Sequence, residues 1–243
     1  MELTLLKRLT ELSQRCEKTY CVTGTGFLSP EEQAEAEAAF SRRPDKPVFF
    51  GGYDMAERKA AFFLPEFETN ITDRIVCIRL IGSLQKLSHR DYLGAVLGLG
   101  LEREAIGDIL PGKKEAYLYC LPAAGRLIEE SLINVGKQNV LAEAVSLSAA
   151  PIPVIQTQAE RFTVKSVRFD AVVAGLFHLS RTEAAERIAR GDCSLNHRQM
   201  LKPDAPIKEG DTLILHGKGK GTVKEIGGKT KKDRVYIVCA RRI

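Results

Sequence analysis

The chain has 243 residues, 44% apolar and 28% charged, with a formal net charge of +5, which is the balance of an ordinary globular protein with room for one large or two to three small domains. Its apolar runs fall far short of a membrane span and Met1-Glu2-Leu3-Thr4 leads straight into an amphipathic stretch, so a cytoplasmic protein with no membrane partner is expected. Its six cysteines then read as reduced thiols, of which only Cys16 and Cys21 are close in sequence, and no second pair or nearby histidine completes a metal site; no cofactor is expected.

In chain order, the apolar period of Leu5, Leu9 and Leu12 predicts a helix from about Leu3 to Glu17. A second helix starts at Ser29, where Pro30 suits the first helical position and Glu32 completes a capping box. Val48-Phe49-Phe50 and Ala60 to Leu64 read as short strands around Gly51-Gly52. From Asp73 the pattern alternates. Ile75 to Ile81 is a strand, and Ser88 caps a helix carrying Leu93, Val96 and Leu97. Ala105 to Leu110 and Glu115 to Leu121 are strands. Pro122 opens a helix whose stripe Ile128, Leu132 and Val135 ends at Gly136, and Asn139 to Val145 closes the unit. Strand-helix-strand-strand-helix-strand fits a ferredoxin-like, RNA-recognition-motif-like sandwich over residues 73–150, behind an N-terminal α/β subdomain at 1–72. The overall class is α+β.

Ala149-Ala150-Pro151-Ile152-Pro153 reads as a linker. The charge then changes sign. Arg181 to Ile243 holds 15 Lys+Arg against 8 Asp+Glu, a net +7, whereas residues 1–180 carry −2. A polyanion is the expected partner at that end, bound chiefly through its phosphates. Phe169 to Phe177 and Arg181 to Arg190 read as two helices, the second capped by Ser180 with Glu183 completing the box and stopped by Gly191. Cys193-Ser194-Leu195 turns through Asn196-His197, and Thr212 to Leu215, Thr222 to Ile226 and Arg234 to Cys239 are strands. Two lysine-rich turns separate them, Gly-Lys-Gly-Lys-Gly with Lys218 and Lys220, and a hairpin with Lys229, Lys231 and Lys232.

Arg168-Phe169-Asp170, Ser180-Arg181-Thr182-Glu183-Ala184, Ile188, Gly191, Leu195-Asn196 and Glu209-Gly210-Asp211 follow one another over residues 162–243 in the order of the S-four domain, the RNA-binding module of the fourth small-subunit ribosomal protein, which they resemble. The resemblance implies two helices packed on a small β-sheet. His197 departs from that family's usual glycine and bears on the hairpin geometry. Gly51-Gly52-Tyr53, Ala56-Glu57-Arg58, Ser88 to Ala95, Leu99-Gly100-Leu101 with Arg103, Ile106 to Ile109 and Thr230 to Asp233 extend the likeness over nearly the whole chain, which resembles the YlmH family of bacterial S-four proteins. That resemblance implies a non-enzymatic, ribosome-associated RNA-binding protein linked to rescue or quality control of stalled large subunits carrying peptidyl-tRNA.

The expected partner is thus structured rRNA or tRNA, on the large ribosomal subunit, with no small-molecule substrate. Arg181, Ser180 and Thr182 at the start of a helix suit a phosphate, with Arg187 and Arg190 extending the track. Arg168, Glu183, Asn196, His197 and the five lysines complete the expected RNA-binding set. Asp170 joins it as the residue that ties the first helix to the cations. His89 and Arg90 form a possible second contact surface. The alternative is an RNA-modifying enzyme of pseudouridine-synthase type, with Asp170 of Arg168-Phe169-Asp170 as its aspartate; Ala171-Val172-Val173 follows where that family has Thr-Ser-Gly. No acid/base pair, nucleophile triad or dinucleotide loop appears in residues 1–160.

Overall fold

The computed structural model describes residues 2–151 and 157–242, which divide into two compact units at 1–153 and 154–243. The linker residues Ile152 and Pro153 lie outside the described residues.

In the first unit, α1 (Glu2–Thr19) is followed by β1 (Thr23–Leu28), α2 (Pro30–Phe40), β2 (Val48–Phe50) and β3 (Lys59–Phe63). The start of α2 is set by the capping box: Ser29 Oγ accepts the Glu32 N–H at 3.2 Å, and the Glu32 carboxylate accepts the Ser29 N–H at 2.7 Å. The three strands form an antiparallel sheet in the order β1-β3-β2. Strand β1 carries no period-2 signal because it is buried almost throughout and two of its six residues are glycines. Gly24 and Gly26 are there for space: a Cβ on Gly24 would run into the Phe62 ring, and one on Gly26 would lie 2.6 Å from the Glu104 carbonyl oxygen.

Next come β4 (Val76–Gly82), α3 (His89–Leu97), β5 (Ile106–Leu110), β6 (Glu115–Cys120), α4 (Pro122–Ser131), β7 (Asn134–Val135) and β8 (Gln138–Val145). They make a second sheet in the order β5-β6-β4-β8-β7. The helix expected to run from Pro122 to Val135 stops at Ser131. The backbone turns extended at Leu132 (ψ 99°), and Gly136 at φ +58° is the tip of the β7–β8 hairpin. Ile128, Leu132 and Val135 nevertheless enter one core with Ile78, Leu80 and Leu118. The apolar period thus located the buried side chains but misjudged the element that delivers the third.

Part of the sheet's other face is covered as well. Cys77, Tyr117 and Tyr119 pack with Phe27, Ala60, Phe62 and Tyr53 of the preceding subdomain. Residues 1–72 and 73–150 therefore share a core, and this is why they form one compact unit.

The second unit is β9 (Thr157–Val164), α5 (Phe169–Phe177), α6 (Arg181–Ala189), β10 (Cys193–Leu195), β11 (Arg198–Gln199), β12 (Thr212–Leu215), β13 (Gly219–Lys229) and β14 (Val235–Arg242). The sheet order is β11-β10-β12-β13-β14-β9. Strand β9 pairs with β14 in unbroken register from Thr157↔Arg242 to Val164↔Val235, so the sheet begins before Phe162. Phe169, Val172, Leu176, Ala184 and Ile188 of the two helices pack on Leu213, Leu215, Val223, Ile237 and Cys239. Burial pushes the Cys193 thiol up to about 11 and the Cys239 thiol up to about 12, so both sit in this core as small protonated apolar groups.

Candidate nucleic-acid interface

The centre of the candidate site is a buried carboxylate. Asp170, in the first turn of α5, is 6% exposed and holds two arginines, Arg181 Nη2 at 2.6 Å and Arg168 Nε at 3.3 Å. Its Oδ1 also accepts the Ala171 N–H at 2.9 Å. A buried carboxylate needs such partners. Both arginines keep a large part of their surface in solvent, 54% for Arg181 and 42% for Arg168, so each has donors to spare. Asp170 therefore aims the cations and is too deeply buried to touch a ligand itself.

Beside Arg181 lies a cleft of about 410 Å³ between α5 and the end of β9, walled by Phe162, Ala174 and Leu179. Lys165 and Arg234 rim it as well. Arg234 is fixed there by Thr163, donating from Nε to the hydroxyl at 2.8 Å and from Nη2 to the carbonyl. Lys165 and Arg234 were not among the expected residues. No local motif marks them: they meet only because β9 and β14 pair, 71 residues apart at Thr163 and Arg234.

The helix α6 is started by Ser180, whose Oγ accepts the Glu183 N–H at 3.1 Å. The return half of the expected box, from the Glu183 carboxylate to the Ser180 N–H, is not formed among the described residues. Thr182 and Glu183 are exposed at this end. At 3.6 residues per turn, Arg187 and Arg190 come round roughly 120° and 180° from Arg181. They also have other partners, Asp192 at 3.3 Å for Arg187 and Glu186 at 3.5 Å for Arg190. The three arginines thus do not form the continuous track the sequence suggested; Arg187 and Arg190 face a different side of the helix.

Asn196 is also committed internally. Its Nδ2 donates to Asp211 at 2.8 Å and its Oδ1 accepts the Thr212 N–H at 2.8 Å, so both ends of its amide brace the sheet. Asn196 and His197 occupy the two central turn positions at φ 51° and 62°, both left-handed, as a two-residue hairpin of primed type requires. The hairpin therefore keeps its geometry without the glycine, at the strain of one left-handed histidine.

The five lysines fall in two groups. Lys218 and Lys220 lie at one end of the eleven-residue β13, and Lys229, Lys231 and Lys232 at the other, roughly 30 Å away at strand rise. The second group adjoins Arg234 and so belongs to the cleft end; Lys229 is tied to Asp233 at 2.7 Å. The structure therefore brings Arg181, Lys165 and Arg234 to the cleft, joins Arg168 to Arg181 through Asp170, and leaves Lys218 and Lys220 at the far end of β13. His89 and Arg90 lie in the first unit, exposed in the first turn of α3. Among the described residues no group of three His, Cys, Asp or Glu side chains is placed to hold a metal ion, and no helix is long and apolar enough to cross a membrane.

Two family models match the first unit: "YlmH, N-terminal" over residues 3–63 and "Putative RNA-binding domain in YlmH" over residues 68–149. The chain is 30% identical over 245 residues to the "Ribosome-associated protein quality control protein P2" of Bacillus subtilis (strain 168), a match covering 99% of this chain and 95% of that protein. The "Cell division protein ylmH from Streptococcus pneumoniae" shares the fold at a TM-score of 0.55 and 18% identity, over 62% of this chain and 94% of that one. With the relative matched along nearly its entire length and both domain models in the expected order, the chain belongs to the YlmH family.

Proposed function

We propose that this protein is a ribosome-associated RNA-binding protein with no chemistry of its own. Its second unit is an S-four-type domain, and residues 73–150 a ferredoxin-like, RNA-recognition-motif-like domain. The observation that carries this reading is the Asp170 carboxylate, which holds Arg168 and Arg181 half in solvent beside a cleft rimmed by Lys165 and Arg234. Three cations lining one cleft, with Arg168 held beside Arg181 by the buried Asp170, suit a phosphate backbone better than a neutral ligand. The folded shape of rRNA or tRNA is the natural target of such a surface. The name of the Bacillus subtilis relative supports placing that RNA on the ribosome, in protein quality control; stalled large subunits with peptidyl-tRNA are the target we propose there.

A pseudouridine-synthase-like role for Asp170 does not suit its surroundings. A carboxylate that attacks a nucleobase must be reachable, and this one is buried and engaged by two guanidiniums and a backbone amide.

The test is binding of the full chain to purified large ribosomal subunits at moderate salt. Replacing Arg181 and Lys165 together by alanine removes two of the cleft's cations while leaving Asp170 paired with Arg168, and is expected to weaken binding about tenfold and lower the salt slope by about one to two. Binding as tight as that of the unaltered chain would overturn the assignment.

A further inference from the structure

In sheets of RNA-recognition type, bases stack on aromatic rings presented by the two central strands. The corresponding strands here are β4 and β6, and the rings on that face are Tyr117 and Tyr119. Both are closed off. Tyr117 is 8% and Tyr119 1% exposed, and the Tyr53 ring lies 4.9 Å from that of Tyr119. Gly52, at φ +96°, passes so close to Tyr119 that a Cβ would strike its ring. Farther along the same face, Arg79 is neutralised by Glu143 and by Glu115 at 3.6 Å. Among the described residues this face offers neither a free ring nor an uncompensated cation.

The end of the same domain at the start of α3 is different. Three segments meet there: the loop 83–88 leading into α3, the β5–β6 turn at 111–114 and the β7–β8 hairpin tip at 136–137. The Gly82 N–H donates to the Lys114 carbonyl at 3.1 Å and the Leu84 N–H to the Lys113 carbonyl at 3.2 Å. A Cβ on Gly136 would lie 3.5 Å from the Leu87 side chain. Lys86, Arg90, Lys113, Lys114 and Lys137 all stand exposed on these segments, and none of the five makes an ion pair among the described residues. The neighbouring acids are already engaged. The Asp91 carboxylate accepts the Ser88 N–H and hydroxyl, both at 2.7 Å, and is held below the usual carboxylate range by those bonds. Glu115 accepts the Tyr117 hydroxyl at 2.7 Å.

We propose that residues 68–149 touch RNA through this loop end, with Lys86, Arg90, Lys113, Lys114 and Lys137 on the phosphate backbone, and not through the sheet. Five uncompensated cations on adjoining turns repel one another, and a polyanion relieves that repulsion. Ser83, Gln85 and His89, exposed between them, add further hydrogen-bond donors for the same backbone. The proposal rests on the reading of the protein as an RNA binder and gives it a second contact.

The test uses the full chain and bacterial large ribosomal subunits whose RNA carries 4-thiouridine, irradiated and mapped by peptide mass spectrometry. Crosslinks are expected within residues 83–90 or at the two turns as well as in the second unit. In the chain with Lys86, Lys113, Lys114 and Lys137 changed to alanine, the first set disappears and affinity falls about tenfold, with a salt slope smaller by about one per lysine that contacts phosphate. The same four positions changed to arginine restore both. Crosslinks confined to the second unit, or an unchanged affinity and slope in the alanine variant while Arg181→Ala with Lys165→Ala still weakens binding, would sink this inference alone. Contact of the loop end with ribosomal protein but no RNA would also sink it. If the unaltered chain neither binds nor crosslinks, the RNA-binding reading falls with it.

Discussion

In the first unit, Gly51-Gly52-Tyr53, Ala56-Glu57-Arg58, Arg103 and Ile106-Gly107-Asp108 bond to one another and to neighbouring backbone, whereas in the second Arg168 and Arg181, held on the buried Asp170, reach into solvent. Asp108 accepts the Tyr53 hydroxyl at 2.7 Å, the Glu57 N–H at 2.7 Å and the Arg58 N–H at 3.0 Å, and so stitches the loop after β2 to β5. Arg58 and Arg103 donate to the backbone carbonyls of Phe27 and Ile106. Burial pushes the Arg103 guanidinium down to about 10, with Arg58 adding to the effect, and pushes the Tyr53 hydroxyl up, with Asp108 reinforcing it. In both units a carboxylate organises cations or donors around itself. In the first the donors are spent on the carboxylate and on backbone carbonyls, and the product is a junction; in the second the arginines keep donors in solvent, and the product is a surface.

That contrast can be broken experimentally, beginning where the effect is largest. Asp108→Ala strands three donors, two of them backbone amides, and should destabilise the first unit by about 2–4 kcal/mol in urea unfolding. Because that unit's proposed RNA contact lies elsewhere, affinity measured well below the unfolding transition should change little. Asp170→Ala should do the reverse in proportion: about 1–3 kcal/mol of stability, because its arginines are half in water, but a clear loss of affinity for large subunits as Arg168 and Arg181 lose their aim. Equal affinities for the altered and unaltered chains would mean that aiming the arginines does not matter. The smallest effect is expected from His197→Gly, which relieves a left-handed side chain but frees the unfolded chain, so the thermal midpoint should move by no more than the equivalent of about 1 kcal/mol. A large loss there would show that the His197 side chain contributes more than its backbone position does.

Much of this could be read from residue patterns, for identifiable reasons. Ser29, Pro30 and Glu32 carry a helix start in four positions, and the chain obeys it because those interactions are local. Ile128, Leu132 and Val135 were correctly placed in one core, while the switch from helix to hairpin at Leu132 was hidden: the stripe has the same period whether the last residue comes from a helix or folds back. Strand β1 was invisible because its two glycines answer to Phe62 and Glu104, partners far along the chain. The same holds at the cleft. Arg168, Asp170 and Arg181 stand within a short motif, but Lys165 and Arg234 become neighbours only through strand pairing, and no nearby residue marks them.

The pairing of β9 with β14 also has a kinetic consequence. Contacts between residues some 71 positions apart form late, since closing so long a loop costs entropy before any of it is recovered. The helices α5 and α6 and the strands β10 to β13 can assemble from nearer neighbours, but the wall that carries Lys165 and Arg234 exists only once β9 has docked on β14. A chain interrupted between Arg181 and Arg234 would carry Arg181 and Asp170 yet lack the strand that completes the cleft. If the cleft is the RNA site proposed above, competence to hold RNA is acquired at the end of folding, and a partly made or partly unfolded molecule does not compete for the site.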